Sequence, residues 1–271
     1  MIYISKTNRR ATEKYIDSAS KGLPESLKLM PMEILKKNDC HKVILFGILR
    51  GTHLVYRWAE KNKIDFYYMD RPYWGETRNS PFYVKVVKNN HLKHWPETRP
   101  DDRFKKSFPW PINPWKKDGR NILVCPPSNA IAEFFGVKDW LAKTLATLKS
   151  NTDRPIIVRN KGYNPIVGYD NNGGLVVVGK DDNAPSGPLD WDNAYAVVAY
   201  NSNITLEAST RGIPCFTDMH NACAPISETD FAKIETPKYV DREPLYHSLA
   251  YGQFTAEEIE NGYAWKVLDE S

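Results

Sequence analysis

Apolar residues along the chain fall into short dense runs separated by amphipathic stretches. His41–Phe46 reads His-Lys-Val-Ile-Leu-Phe and stops at Gly47. A run of this length without polar alternation predicts a strand buried on both faces. Leu54–Lys61 then carries apolar residues at helical spacing, and Ile64–Met69 is a second strand-like run closed by Asp70. Strand, loop, helix and strand in this order form the α/β crossover pattern. Upstream, residues 1–38 are polar, and one helix is predicted around Ala11–Ser20.

Residues 71–120 break that rhythm. They are rich in Pro, Trp, Tyr and basic side chains, with one strand-like stretch at Phe82–Val87. Trp95–Lys117 contains five prolines and reads as an irregular connection. A second series follows, with strands at Asn121–Cys125, Pro155–Val158, Leu175–Val178, Ala194–Ala199 and Cys215–Thr217. Helices are predicted at Trp140–Lys149 and over Ile204–Arg211, and Pro126-Pro127-Ser128 is a loop. This alternation implies a parallel sheet with ligands at the strand C-terminal ends. Thr255-Ala-Glu-Glu258 fits the capping box of a final helix. The pattern predicts an α/β chain divided at 1–117, 118–250 and 251–271, the last being a C-terminal helix, with two α/β domains facing a central cleft.

With 271 residues and 41% apolar composition, the chain can bury one large core or two smaller ones. No run approaches the ~18 apolar residues of a membrane span, and the N-terminus is polar, so a soluble cytoplasmic protein is expected. The four cysteines form no Cys-x-x-Cys pair and read as buried free thiols. Cys215, His220 and Cys223 lack a fourth ligand, so no metal site is expected. Charge is uneven. Residues 1–120 hold 25 Lys+Arg against 13 Asp+Glu, and residues 121–271 hold 12 against 20. A first half at +12 suggests a polyanionic partner, although solvated surface charge gives the same count.

The segment Asn201-Ser202-Asn203-Ile-Thr-Leu-Glu207-Ala-Ser-Thr-Arg-Gly212-Ile-Pro214 carries the densest chemistry. A buried strand runs straight into small polar residues and then into a helix. Those residues can cap the helix, and the helix start can hold a phosphate. Glu207, one turn in, can take ribose hydroxyls or remain solvated. Ser128 ends the first strand of the same series, and Arg159 and Lys161 end the second, where cations can neutralise a diphosphate leaving group in place of a metal. In the first half, Asp70 ends a buried strand and is the candidate base, with Glu76, His53 and His91 in reserve. The alternative for Asp70 is a turn cap before Pro72. Arg50 and Thr52, in the Gly-rich turn after the first strand, and Arg71, Tyr73 and Trp74 are candidate substrate contacts.

The Glu-x4-Gly-Ile-Pro pattern behind a strand and a Ser-containing helix start resembles the donor domain of GT-B glycosyltransferases, including capsule-polysaccharide transferases. The resemblance covers roughly residues 121–215. It implies two Rossmann-like domains, Ser202 and Asn203 at the donor phosphates, and Glu207 at the ribose. The whole chain also resembles a GT-B-like type of protein encoded in phage genomes, in its Tyr-Met-Asp-Arg-Pro-Tyr, Pro-Trp-Lys-Lys-Asp-Gly and Thr152-Asp-Arg-Pro stretches. With the basic, aromatic residues 71–117, this leads to a specific expectation. A metal-independent hexosyltransferase takes glucose from UDP-glucose, with no other cofactor. It places the sugar on 5-hydroxymethylcytosine of duplex DNA in a phage-infected cell. The alternatives are a UDP-sugar transferase for surface polysaccharide, or a non-enzymatic nucleic-acid-binding protein on the same fold.

Overall fold

In the computed structural model the apolar run at Val43–Leu45 is fully buried and forms the middle of a six-stranded sheet. The structure describes residues 1–6, 10–74, 82–94, 99–108, 111–159, 166–169, 175–178 and 189–270. In chain order the first elements are β1 (Ile2–Ser5), α1 (Arg10–Gly22), β2 (Ser26–Leu29), α2 (Pro31–Ile34), β3 (Lys42–Phe46), α3 (Thr52–Asn62), β4 (Asp65–Asp70), β5 (Tyr83–Lys88) and α4 (Asp102–Ser107). The middle of the chain forms β6 (Asn121–Cys125), α5 (Asn129–Phe134), α6 (Trp140–Lys149), β7 (Ile156–Val158), β8 (Ile166–Tyr169), β9 (Leu175–Val178), β10 (Ala194–Ala199), α7 (Ile204–Thr210) and β11 (Cys215–Thr217). The last elements are α8 (Glu243–Ala250), β12 (Gln253–Thr255), α9 (Ala256–Glu260) and α10 (Tyr263–Asp269). The chain divides into two compact units, Met1–Pro109 with Tyr246–Ser271, and Trp110–Leu245.

The sheet of the first unit runs β12-β5-β4-β3-β1-β2. Strands β2, β1, β3 and β4 are parallel, while β5 and β12 are antiparallel additions at one edge. One face packs Ile4, Ile44, Met69 and Val86 against Tyr15 and Ile16 of α1 and against Ile259, Trp265 and Leu268 of the C-terminal helices. On the other face Tyr56 of α3 meets Phe66 and Tyr68 edge-on, at 4.8 and 5.8 Å between ring centroids. Burial of both faces explains why β3 and β4 read as continuous apolar runs.

Three features of this unit differ from the sequence reading. The polar stretch 1–38 contains two strands as well as its helix; β1 has only four residues, too few to show a period. Residues 251–271 are not one helix but a strand and two short helices. They also complete the first unit. Arg103 of α4 holds them, making a bidentate pair with Glu258 and donating to the Gln253 and Ala250 carbonyls. The capping box forms as expected. Thr255 Oγ1 accepts from Glu258 N at 3.1 Å, and Glu258 accepts from Thr255 N at 2.9 Å.

The second sheet runs β11-β10-β6-β7-β8-β9. Its first four strands are parallel. The last two form an antiparallel meander on β7, which departs from the expected all-parallel sheet. A parallel connection needs a crossover, usually a helix, and no helix lies among the described residues between β7 and β9. Trp140 and Leu148 of α6 cover one face with Ile122, Val124 and Val198. Ala208 of α7 covers the other with Leu123, Val197 and Cys215.

Candidate functional site

In the second sheet β6 lies between β7, which follows it, and β10, which comes later in the chain. The chain therefore leaves β6 to opposite sides, and the loops after β6 and β10 diverge at their C-terminal ends. Such a switch point is where open α/β sheets hold ligands. The register aligns the ends: Ala199 pairs with Cys125 on one side and with Thr217 on the other. Arg159 N donates to Val124 O at 2.8 Å, so the residue after β7 reaches the same edge.

Four residues singled out from the sequence, Ser128, Arg159, Ser202 and Asn203, follow strands that end at this edge. Ser128 is exposed at the N-cap of α5, its hydroxyl making no capping bond. Arg159 is half-buried. Ser202 and Asn203 connect β10 to α7, and the Ser202 hydroxyl lies 3.5 Å from Ile204 N. Lys161 lies outside the described residues. Glu207 is exposed on α7 and pairs with Arg211 one turn later, at 3.2 Å. Gly212 is required by its setting. Its φ is +81°, and a side chain there would collide with the Pro114 carbonyl. The segment 113–116 crosses the end of α7, with Asn113 N and Lys116 N donating to Thr210 O and Gly212 O.

Sequence reasoning weighed the loop after β11 only as a metal ligand set. Cys215 and Cys223 are buried free thiols, as the sequence predicts, and Cys215 Sγ donates to Thr205 O at 3.3 Å. Burial pushes both thiols up, Cys223 to about 12. Cys125 is buried with them, and Cys40 is half-buried. His220 takes a different partner, its Nδ1 lying 2.7 Å from Asp218 Oδ1. Its ring stacks on Tyr200 at 5.6 Å between centroids. Burial, helped by the Asp218 charge, raises Tyr200 to about 12. Asn221, 1% exposed, fixes the loop. It accepts from Thr205 Oγ1 and Cys223 N, and its amide reaches Ser202 O. The signal was available: Asp218 and His220 directly follow a strand read from the sequence.

An Asp-x-Asp also exists, at Asp190-Trp191-Asp192. It precedes β10 and so lies at the opposite end of that strand from Ser202. The Asp190 carboxylate accepts from Asn193 N and Nδ2. Among the described residues no group of three or more His, Cys, Asp or Glu is arranged to hold a metal ion.

In the first unit Asp70 ends β4 at the C-terminal edge of the parallel strands. Its Oδ2 accepts from Tyr68 Oη at 2.6 Å and its Oδ1 from Arg71 N at 2.8 Å. Arg71 is exposed, as are His53 on α3 and Arg50, which has a φ of +59° beside Gly51. Thr52 is buried, and its hydroxyl is used by Leu49 O. Tyr73 is buried, with its N–H on Gln253 Oε1. Trp74 was expected to contact the acceptor, but it is a core residue. Its N–H donates to Ser107 Oγ at 2.7 Å, and Phe104, Phe108 and Tyr246 surround its ring. His91 follows the far end of β5, where Lys88 pairs with Tyr67, away from Asp70. Glu76 lies outside the described residues.

The structure also redistributes the charge. The first unit, including residues 246–271, holds 23 Lys+Arg and 17 Asp+Glu, or +6, and the second holds 14 and 16, or −2. The +12 of the N-terminal half is thus partly offset by the acidic C-terminal helices that complete its unit. No helix is long and apolar enough to cross a membrane among the described residues.

No family model and no curated protein matches the chain. Among solved structures it is similar to KpsC of Thermosulfurimonas dismutans, a β Kdo 2,7 transferase, with a TM-score of 0.52, 11% identity and 99% coverage of both chains. It is also similar to the β Kdo 2,4 transferase of the same protein and organism, with a TM-score of 0.50, 10% identity, and coverage of 94% of this chain and 91% of that one. At these identities the likeness is one of fold.

Proposed function

We propose that this protein is a glycosyltransferase that moves a sugar from a nucleotide-sugar donor to a carbohydrate acceptor of the surface-polysaccharide kind. The observation that carries this reading is the fold likeness to a β Kdo 2,7 transferase, which runs over 99% of both chains. The edge of β6, β7 and β10 supports it, because Ser128, Arg159, Ser202 and Asn203 all follow strands that end there. In this reading the second unit binds the nucleotide diphosphate, and Arg159 with Lys161 offsets the charge of the leaving group without a metal. Asp70 in the first unit takes the proton of the acceptor hydroxyl, and Arg50 and Arg71 serve the acceptor. A UDP-sugar is the donor to test first, and a nucleotide-activated Kdo the second.

DNA is not the acceptor in this reading. The first unit's charge is +6 rather than +12, and Trp74 is packed inside rather than presented for stacking on a base. The deciding experiment incubates the protein with UDP-glucose, UDP-N-acetylglucosamine or nucleotide-activated Kdo. The acceptors offered are short acidic or neutral oligosaccharides and hydroxymethylated duplex DNA, with products weighed by mass spectrometry. A sugar mass gained on an oligosaccharide is expected. Gain on DNA alone would restore the nucleic-acid reading, and neither transfer nor nucleotide release with any donor would remove the enzymatic one.

A further inference from the structure

Three residues on adjacent strands of the first unit form a row. Asp70 of β4 lies directly opposite Lys85 of β5, and Lys85 lies directly opposite Gln253 of β12. Directly opposed residues in antiparallel strands present their side chains on the same face. The carboxylate, ammonium and amide therefore share one face, at the edge where the parallel strands end.

Two of these groups carry donors without a hydrogen-bond partner among the described residues. Lys85 is half-buried, and its ammonium makes no hydrogen bond or ion pair among the described residues. It lies over the Tyr68 and Tyr73 rings, 5.4 and 5.7 Å from their centroids. Burial pulls it below the usual lysine range, and Asp70 opposes that pull. Gln253 is fully buried, and its Oε1 accepts from Tyr73 N at 3.0 Å. Its Nε2 has no hydrogen-bond partner among the described residues. A buried amide donor left empty is costly, and a half-buried cation beside it adds to the cost. Cation–π contact offsets part of the cost for Lys85 but gives Gln253 Nε2 nothing. Asp70 does not fill the gap: among the described residues it forms no hydrogen bond with Lys85 or Gln253, and its oxygens accept from Tyr68 and Arg71.

We propose that Lys85 and Gln253 form a subsite for an anionic group, a carboxylate or phosphate, of the acceptor molecule. The ammonium supplies the charge and the amide a directed donor. Asp70, next in the row, then faces a hydroxyl of the same molecule. Identifying the occupant as an acceptor rests on the transferase reading, whereas anion binding does not.

Binding is measured by calorimetry at low ionic strength without any nucleotide sugar. The probes are glucuronate, glucose 6-phosphate, inorganic phosphate and glucose. The full chain is compared with Lys85→Met and Gln253→Glu. Gln253→Glu keeps the oxygen that Tyr73 N needs and replaces the amide donor with negative charge. Glucuronate or glucose 6-phosphate is expected to bind better than glucose, and each substitution to weaken that binding about tenfold or more. Preference for glucuronate assigns a sugar acid, and preference for the phosphate compounds assigns a phosphorylated sugar. As a second readout on the unaltered protein, the bound probe should protect Lys85 from reductive methylation, read by peptide mass. Equal binding of glucose and the anions, or no Lys85 protection at saturating probe, would overturn the subsite. A lack of transferase activity with intact anion binding would instead remove only the acceptor assignment.

Discussion

Thr205 donates its hydroxyl to Asn221 Oδ1 at 2.8 Å, joining the first turn of α7 to the loop that follows β11. Cys223 N donates to the same oxygen at 2.9 Å. The strand-end residues Ser202 and His220 thus depend on one buried amide. Asn221→Ala would strand the buried Cys223 N–H, costing about 1–3 kcal/mol, while the Thr205 hydroxyl keeps Ser202 O as its acceptor. At roughly 2–4 °C per kcal/mol, Tm should fall by about 2–12 °C. Nucleotide affinity should fall as well. Thermal unfolding and nucleotide titration check this; wild-type values for both would show that the amide positions nothing.

Glu207 offers a cleaner separation of stability from binding. Its partner Arg211 is exposed, and exposed pairs of this spacing contribute only about 0.3–0.5 kcal/mol. Glu207→Ala should leave Tm nearly unchanged and raise the donor KM several-fold with little effect on kcat. If the KM stays at the wild-type value, the carboxylate serves only its surface pair with Arg211.

The clamp between Arg103 and Glu258 predicts a pH dependence. Burial pushes the Glu258 carboxyl up, but the Arg103 hydrogen bond, the Thr255 N–H and the Arg103 charge outweigh it and hold the group below the usual range. A carboxyl depressed in the folded state adds stability above its unfolded value of ~4.3 and loses it as pH falls through the lower folded value. Wild-type stability should therefore drop in that acid window. Arg103→Met should cost about 3–5 kcal/mol near neutral pH, because it leaves Glu258 unpaired, and should flatten the acid limb. Denaturant midpoints at pH 3–7 read both effects. Parallel acid limbs in the two proteins would place the titrating group elsewhere.

Asp70→Asn keeps the shape and the Tyr68 contact but cannot take a proton. Turnover should fall by about 10²–10⁴ with nucleotide binding intact. Retained turnover would move the base to His53, Glu76 or the pair Asp218 and His220, and single substitutions at each would then decide.

The extent to which the sequence reveals the fold varies by element for physical reasons. Strands β6, β10 and β11 match their expected bounds because they are buried on both faces and carry unbroken apolar runs. Strands β1 and β2 are four residues each, and β2 alternates Lys with Leu at an exposed edge. Their place in the sheet comes from β3, not from local pattern. The antiparallel turn of β8 and β9 is likewise a pairing choice that periodicity does not encode.

The candidate site divides in the same way. A rule about strand ends finds Asp70, Ser128, Arg159 and Ser202, because a strand's last residue is visible in the hydrophobic pattern. It finds neither Lys85 nor Gln253, since their kinship with Asp70 exists only across strands. Trp74 shows the opposite failure. An aromatic next to basic residues reads as a stacking platform or as core, and only its neighbours tell which.

The first unit takes its edge strand and two of its helices from residues that follow the second unit in the chain. During synthesis the contiguous 110–245 stretch emerges complete while the earlier sheet still lacks β12. Residues 1–109 must therefore wait, with β5 unpaired on one side, until Gln253–Thr255 leaves the ribosome. The usual order of maturation, amino-terminal part first, is expected to be reversed here. A nascent chain of residues 1–245 held on the ribosome by a linker long enough to clear the exit tunnel should show a protease-resistant second unit beside a protease-sensitive first one, and a first unit already resistant at that length would show that β12 is dispensable for its folding.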